Sequence, residues 1–244
     1  MPKPWISQQR ISDLAKLKQK KHRLAQGRVV VEGSRLIRQL AIFGIRPYEL
    51  YVFGDQQQEY GQLVQYKLTQ SQMSRICSSE HPASVAALYD LPQESAAPFR
   101  RALYLDRISD PGNLGTIFRS AEAFGMDAIL LSENSCEVSN PKVIRASMGA
   151  VYKLTFRYLS PEELLMGKAR LVALDMGGRV SLRDYVPSAE AEIFILGSEA
   201  HGIDEALLRA AQQSIRIDMA GKMESLNLAV SAALLCYQLS MQER

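Results

Sequence analysis

Five short apolar runs govern what this chain can become. ALYLDRI (102–108), DAILLS (127–132), RLVALDM (170–176), EIFILG (192–197) and SIRIDMA (214–220) are nearly continuous in hydrophobicity and partly β-branched. A strand buried on one face alternates polar and apolar residues, whereas a strand covered on both faces reads as an unbroken run. Helical patterns separate several of the runs, so this part of the chain is expected to form a mainly parallel sheet with helices on both sides.

A smaller α/β unit precedes it. RVVVEG (28–33), ELYVF (49–53), LVQYKL (63–68) and SVAALYDL (84–91) read as β segments, with helical stretches between the first few. LPQESAAPF (91–99) carries two prolines and small polar residues and is the best linker in the chain. The expected domains are therefore 1–95 and 96–244.

Composition then narrows the class. With 47% hydrophobic and 23% charged residues, the chain can bury a core of ordinary soluble proportions. No run approaches the roughly 18 apolar residues of a membrane span. The start, MPKPWISQQR, lacks the apolar core of a signal peptide, so a cytoplasmic location is expected. Cys77, Cys136, Cys236, His22, His81 and His201 lie too far apart in sequence to signal a disulfide framework or a zinc site. Positive charge is concentrated near the N-terminus: residues 1–50 hold eleven Lys/Arg against three Asp/Glu. The densest part, KLKQKKHRLAQGR (16–28), suits either a phosphate backbone or a solvated helix face.

Three segments carry the candidate chemistry. In DPGNLGTIFRSAEAFG (110–125), a Pro-Gly turn leads into a helix with Asn113 as its expected N-cap. Leu114, Ile117, Phe118, Ala121 and Phe124 share one face of that helix, and Arg119 falls off it. SEAHGID and MAGKMES each follow an apolar run, placing Gly and short polar residues at a strand's carboxyl end, where open parallel sheets bind ligands. Neither a dinucleotide-binding glycine pattern nor a phosphate-binding loop is present, and Asp-Met-Gly-Gly at 175–178 is too short to substitute. SLNLAVSAALLCYQL (225–239) is apolar around its whole circumference, so it is either a central core helix or one packed between its own domain and a partner subunit.

Taken together, DRISDPGNLGTIFRSAEAFG, FILGSEAHGI and IRIDMAGKMESLNLAVSAAL resemble, in order and spacing, the three motifs of the SpoU-like (TrmH-type) branch of the SPOUT RNA ribose 2′-O-methyltransferases. NPKVIRASMGAVYKL (140–154) is similar to the stretch between that family's first two motifs. KLKQKKHRLAQGRVVVEGSRLI and HPASVAALYDLP resemble the ribosomal-protein-like α/β/α substrate-binding domain that often comes first.

The resemblance implies a deep trefoil knot in the catalytic domain and S-adenosyl-L-methionine as methyl donor, against Leu196, Gly197, Ile217, Met219, Ser225 and Leu226. It implies catalytic roles for Arg119, Asn113, Glu199, Ser225 and Asn227, with Arg119 foremost. RNA contacts are expected from Lys18, Lys20, Lys21, Arg23, Arg28, Arg119, Lys142 and Arg145, and no metal is expected. Ribosomal RNA is favoured over transfer RNA, and a homodimer through helix 225–239 is expected. Two departures stand out: Asp218 replaces the usual proline of the third motif, and Ala200 follows Glu199 where glycine is more usual. A non-catalytic RNA-binding or ribosome-assembly protein of the same fold, a transfer RNA enzyme and a base methyltransferase remain alternatives. The retained polar motif residues, and the Asn113 and Arg119 pattern, weigh against the non-catalytic and base-modifying ones.

Overall fold

A computed structural model of the chain describes residues 6–54 and 65–242. In chain order the elements are α1 (Gln8–Lys16), α2 (Lys20–Gln26), β1 (Arg28–Glu32), α3 (Ser34–Ile42), β2 (Glu49–Val52), β3 (Gln65–Lys67), α4 (Gln70–Ile76) and β4 (Val85–Asp90). They continue with β5 (Arg101–Asp106), α5 (Pro111–Ala123), β6 (Ala128–Leu131), α6 (Pro141–Ala146), β7 (Thr155–Tyr158), α7 (Pro161–Leu165) and β8 (Arg170–Leu174). The last are β9 (Val180–Ser181), β10 (Glu192–Gly197), α8 (Glu205–Ala210), β11 (Gln213–Arg216) and α9 (Leu228–Met241). Of the LVQYKL segment, Leu63 and Val64 lie outside the described residues. Among the described residues no helix is long and apolar enough to cross a membrane.

The chain divides into two units. The first joins the residues up to Pro92 to Val138–Gly149, and the second holds Gln93–Glu137 and Ala150 onward. The single cut at 95 thus leaves a segment of the C-terminal part grouped with the N-terminal one. The reason lies in α6, which packs on β1 and buries Val143 and Ile144. Arg145 on the same helix donates to Glu32 at 3.0 Å.

In the first unit the sheet order is β1-β4-β2-β3, with β4 antiparallel to both neighbours and β2 parallel to β3. α1 and α4 lay Ile11, Leu14, Met73 and Ile76 onto Val30, Tyr51, Ala86 and Leu88. Val29 and Val31 alternate to the opposite face of the sheet, and α3 packs on β1 and β4 outside that cluster.

The second unit is a seven-stranded sheet, order β7-β6-β5-β10-β8-β11-β9, parallel at every pairing. The five apolar runs supply β5, β6, β8, β10 and β11, all with buried centres. On one face Tyr104, Leu130, Leu171 and Ile195 pack against Leu164 of α7 and Leu207 of α8. α5 and α9 pack on each other, and α9 also contacts β10. Because β11 lies between β8 and β9, the 175–179 connection joining those two must pass β11. That passage is tight: a side chain at Gly178 would put its Cβ 2.3 Å from the Ile215 carbonyl carbon.

Candidate active site

The loops leaving β8, β10 and β11 converge at the carboxyl ends of their strands, the edge at which parallel sheets collect ligands. They enclose a cavity of about 260 Å³. All six residues expected around the cofactor, Leu196, Gly197, Ile217, Met219, Ser225 and Leu226, line it. Asp175 and Met176 line it too, so the Asp-Met-Gly-Gly turn dismissed on sequence forms one wall. The missed signal was its position directly after an apolar strand.

The fold of the backbone itself requires glycine at 197. The chain reverses through Ser198–Gly202, which form an isolated antiparallel bridge. A Cβ at Gly197 would fall 2.0 Å from the Gly202 carbonyl carbon and 2.1 Å from the Ile203 nitrogen. Backbone meets backbone there, and the cavity wall follows from it. The donor set suits S-adenosylmethionine: Leu174, Leu196, Ile217 and Leu226 offer apolar surface for an adenine, with the Asp175, Ser225 and Ser231 side chains as polar groups.

At the edge of the cavity three polar side chains from distant segments meet. Glu199 Oε1 accepts from Asn113 Nδ2 at 3.0 Å, from Asn227 Nδ2 at 2.8 Å and from the Leu228 backbone N–H at 3.2 Å. Asn227 Nδ2 also reaches Asn113 Oδ1 at 3.2 Å. Asn113 is not the N-cap of α5. Asp110 is, accepting the Asn113 N–H at 2.7 Å, because Pro111 takes the first helical position. That leaves the Asn113 amide free for Glu199. Asn227 caps the last helix, accepting from the Ala229 and Val230 N–H groups, so that helix begins at Leu228, after Ser225.

Asp218 turns away from the cavity. Its neighbours Ile217 and Met219 are lining residues, whereas its carboxylate accepts from the Ser181 hydroxyl and from Arg216 Nε at 2.9 Å. Arg216 Nη1 in turn donates to the Gly178 and Arg179 carbonyls, at 2.9 and 3.2 Å. Where the family has a ring-stiffened proline, this chain uses a polar clasp between β9 and β11. The Ser181 hydroxyl, together with the Arg216 charge, holds the Asp218 carboxyl below the usual carboxylate range. A depressed value of this kind contributes at pH above the ordinary carboxylate range and is lost as pH falls through the lower folded value, so the clasp is ionised at neutral pH. Asp218→Asn should therefore weaken S-adenosylmethionine binding by less than about fivefold, as for a half-exposed ion pair. Calorimetry showing a loss well beyond tenfold would place the carboxylate against the sulfonium instead.

The other expected contacts divide by environment. Arg119 is exposed on α5, lines neither this cavity nor its neighbour, and has no hydrogen bond or ion pair among the described residues. In the first unit Lys20, Lys21 and Lys142 are exposed, and Lys18 donates to the Ser74 carbonyl at 3.0 Å. Arg28 lies over the Tyr48 ring at 3.8 Å and pairs with Asp90. Arg23 departs from its expected role: it is 3% exposed and donates to the Leu17 and Lys18 carbonyls, closing the α1–α2 turn. Arg145 is likewise engaged, with Glu32 and the Ser78 hydroxyl.

Residues 100–237 match the SpoU rRNA Methylase family. The chain belongs to that family. Residues 8–87 match the MRM3-like substrate binding domain. This SpoU family member is 30% identical over 239 residues to the 23S rRNA (guanosine(2553)-2′-O)-methyltransferase RlmP of Bacillus subtilis, across 95% of this chain and 96% of that protein. A crystal structure of an RNA 2′-O ribose methyltransferase superposes with a TM-score of 0.84 at 30% identity, covering 97% of each chain. An AdoMet-bound rRNA methyltransferase from Sinorhizobium meliloti does so with a TM-score of 0.81 at 25% identity, covering 99% of this chain and 98% of that one.

Proposed function

We propose that this SpoU family member is an S-adenosylmethionine-dependent RNA methyltransferase that modifies a ribose 2′-hydroxyl of structured RNA, with ribosomal RNA its substrate ahead of transfer RNA. One observation carries the reading: the six expected cofactor residues line a single cavity whose edge is the Asn113–Glu199–Asn227 cluster. The naming of the Bacillus subtilis relative supports ribosomal RNA.

When bound, the cofactor supplies a methyl group that is already strongly electrophilic. The protein's part is alignment and charge. Apolar walls at Leu196, Ile217 and Leu226 exclude water, and Glu199 holds the two asparagine amides in one orientation for the incoming ribose. Arg119 cannot serve as a base, because a guanidinium stays protonated in proteins. Its role is electrostatic: it binds the phosphate beside the target ribose and stabilises the developing alkoxide, while the proton leaves to phosphate oxygen or water. Ser225, at the cavity wall, positions the third-motif loop. Lys18, Lys20 and Lys21 attract the RNA backbone, making residues 1–95 the main substrate-binding part, with Lys142 of the same unit added to them, in the cytoplasm where that RNA resides. Mapping 2′-O-methylation as resistance to alkaline cleavage, in total RNA from cells with and without the gene, tests this. One modification should vanish from ribosomal RNA; loss from transfer RNA shifts the substrate, and no loss overturns the activity.

A homodimer through α9 is part of the same reading. α9 buries Leu228, Ala232, Leu235 and Leu239, yet Val230, Leu234, Tyr237 and Met241 are each 41–49% exposed along one stripe. With Thr116 of α5 and Phe124 at its C-terminal cap, the first three of these line an apolar groove. A two-fold axis would cover this patch twice over. Light scattering at micromolar concentration should give twice the 27.2 kDa chain mass, and Leu234→Asp should halve it. A wild-type monomer would refute the dimer.

A further inference from the structure

A second cavity, of about 280 Å³, adjoins the first, and Arg107, Asn134 and His201 on its walls have no part in the chemistry above. Ser198, Glu199 and Leu228 line both cavities, so the two share a wall. The α5/α9 groove, by contrast, is largely apolar and has no lining residue in common with the first cavity.

Arg107 carries the strongest physical signal. Its φ of 57° is left-handed, a conformation that costs a non-glycine residue and persists where the surroundings over-determine it, often at ligand sites. The surroundings do so here. Its N–H donates to the Ser132 hydroxyl at 2.7 Å, and its Nε and Nη2 sit on Asp106 at 3.1 and 2.9 Å. Asp106 is 2% exposed and also accepts the Asp204 N–H at 2.9 Å. One edge of the guanidinium is thereby fixed, and Nη1 has no hydrogen bond among the described residues. Of the two carboxylates on the cavity, Asp110 is occupied at the α5 N-terminus and Glu199 Oε1 by the asparagine amides. An anionic group therefore has a held cation to meet, while Asn134 and His201 are exposed polar side chains on the same walls.

We propose that this second cavity holds the target nucleotide, splayed out of the RNA. Arg107 takes the phosphodiester on one side of it, leaving the other to Arg119, while the Asn113–Glu199 wall faces its ribose and Asn134 and His201 meet its base. The inference rests on the reading of the protein as a ribose methyltransferase. In-line transfer brings the attacking oxygen and the methyl carbon to about 3–3.5 Å, so the nucleotide must lie across a wall common to the cofactor cavity. Sequence-specific RNA recognition generally takes unstacked bases, which a cavity of this kind admits.

The full chain, saturated with S-adenosylhomocysteine, should be titrated with AMP, GMP, CMP and UMP while the His201 imidazole resonances are followed by NMR. At least one nucleotide should shift them by about 10 mM. Arg107→Gly, which also relieves the left-handed strain, should weaken that binding about tenfold or more, and Arg107→Lys should restore part of it. Asn134→Ala should change the rank order of the four nucleotides. No shift with any nucleotide, indifference to Arg107→Gly, or displacement of S-adenosylhomocysteine by the nucleotide would overturn the site. Nucleotides that bind as described to a protein that methylates no RNA would leave the cavity standing and remove the methyltransferase reading. Methylation without such binding would remove the cavity alone.

Discussion

Arg119→Ala is expected to lower single-turnover methyl transfer by about 10²–10³-fold, the loss seen when a preorganised donor to a developing oxyanion is removed. S-adenosylmethionine affinity should stay within about threefold of wild type, because Arg119 lines no part of the cofactor cavity. The folded state should be untouched. Arg119 is exposed and makes no hydrogen bond among the described residues, so no packing or ion pair goes with it. Arg119→Lys should recover only part of the rate, since an ammonium keeps the charge and loses the planar fork that grips a phosphate. The separation of rate from cofactor affinity is the diagnostic feature. Near-normal turnover in Arg119→Ala would end its electrostatic role, and a parallel loss of cofactor affinity would relocate the residue to the first cavity.

Gly197→Val should have the largest effect on cofactor binding, through a different cause. A Cβ at this position meets main-chain atoms of Gly202 and Ile203 at 2.0 and 2.1 Å, and backbone cannot rotate away as a side chain would. The 198–202 reversal must open, and Ser198, Glu199, Gly202 and Ile203 all line the cavity. Calorimetry should show S-adenosylmethionine affinity reduced by more than about tenfold. Overpacking also strains the sheet end, at about 1–3 kcal/mol or somewhat more, so the melting temperature should fall by roughly 5–10 °C. Gly197→Ala should follow the same direction, since the clash belongs to Cβ itself. Unchanged affinity in both variants would mean that the 198–202 loop adopts another path.

How much of this was legible without coordinates follows from what hydrophobic patterning records. Periodicity reports which faces of an element are covered, and β5, β6, β8 and β10 are buried almost throughout, so they stand out as apolar runs, whereas β11 buries only Ile215. β7 escaped notice because it is a half-buried edge strand, reading Thr-Phe-Arg-Tyr, and β9 because two residues carry no period. α9 was visible as apolar all round, but not as a helix with one buried side and one exposed apolar stripe.

The motif residues Asn113, Glu199 and Asn227 could be named from local resemblance, each within its own loop. Their joining is another matter. Glu199 is 86 residues from Asn113 and 28 from Asn227, and only the strand order brings the three loops to one edge. The same holds for the insertion of β11 between β8 and β9, and for α6 leaving its neighbours in sequence to pack on β1. Charged residues show the limit most plainly: Arg23 and Lys20 belong to one basic run, yet the first is buried and spent on two backbone carbonyls and the second faces solvent. By itself the sequence determined which segments must be buried, where strands end in polar glycine loops, and which family chemistry those loops can support. The tertiary structure decided which loops meet and which charges remain free. Hydrogen-bond partners are chosen by proximity in space, and a linear pattern of polarity does not contain it.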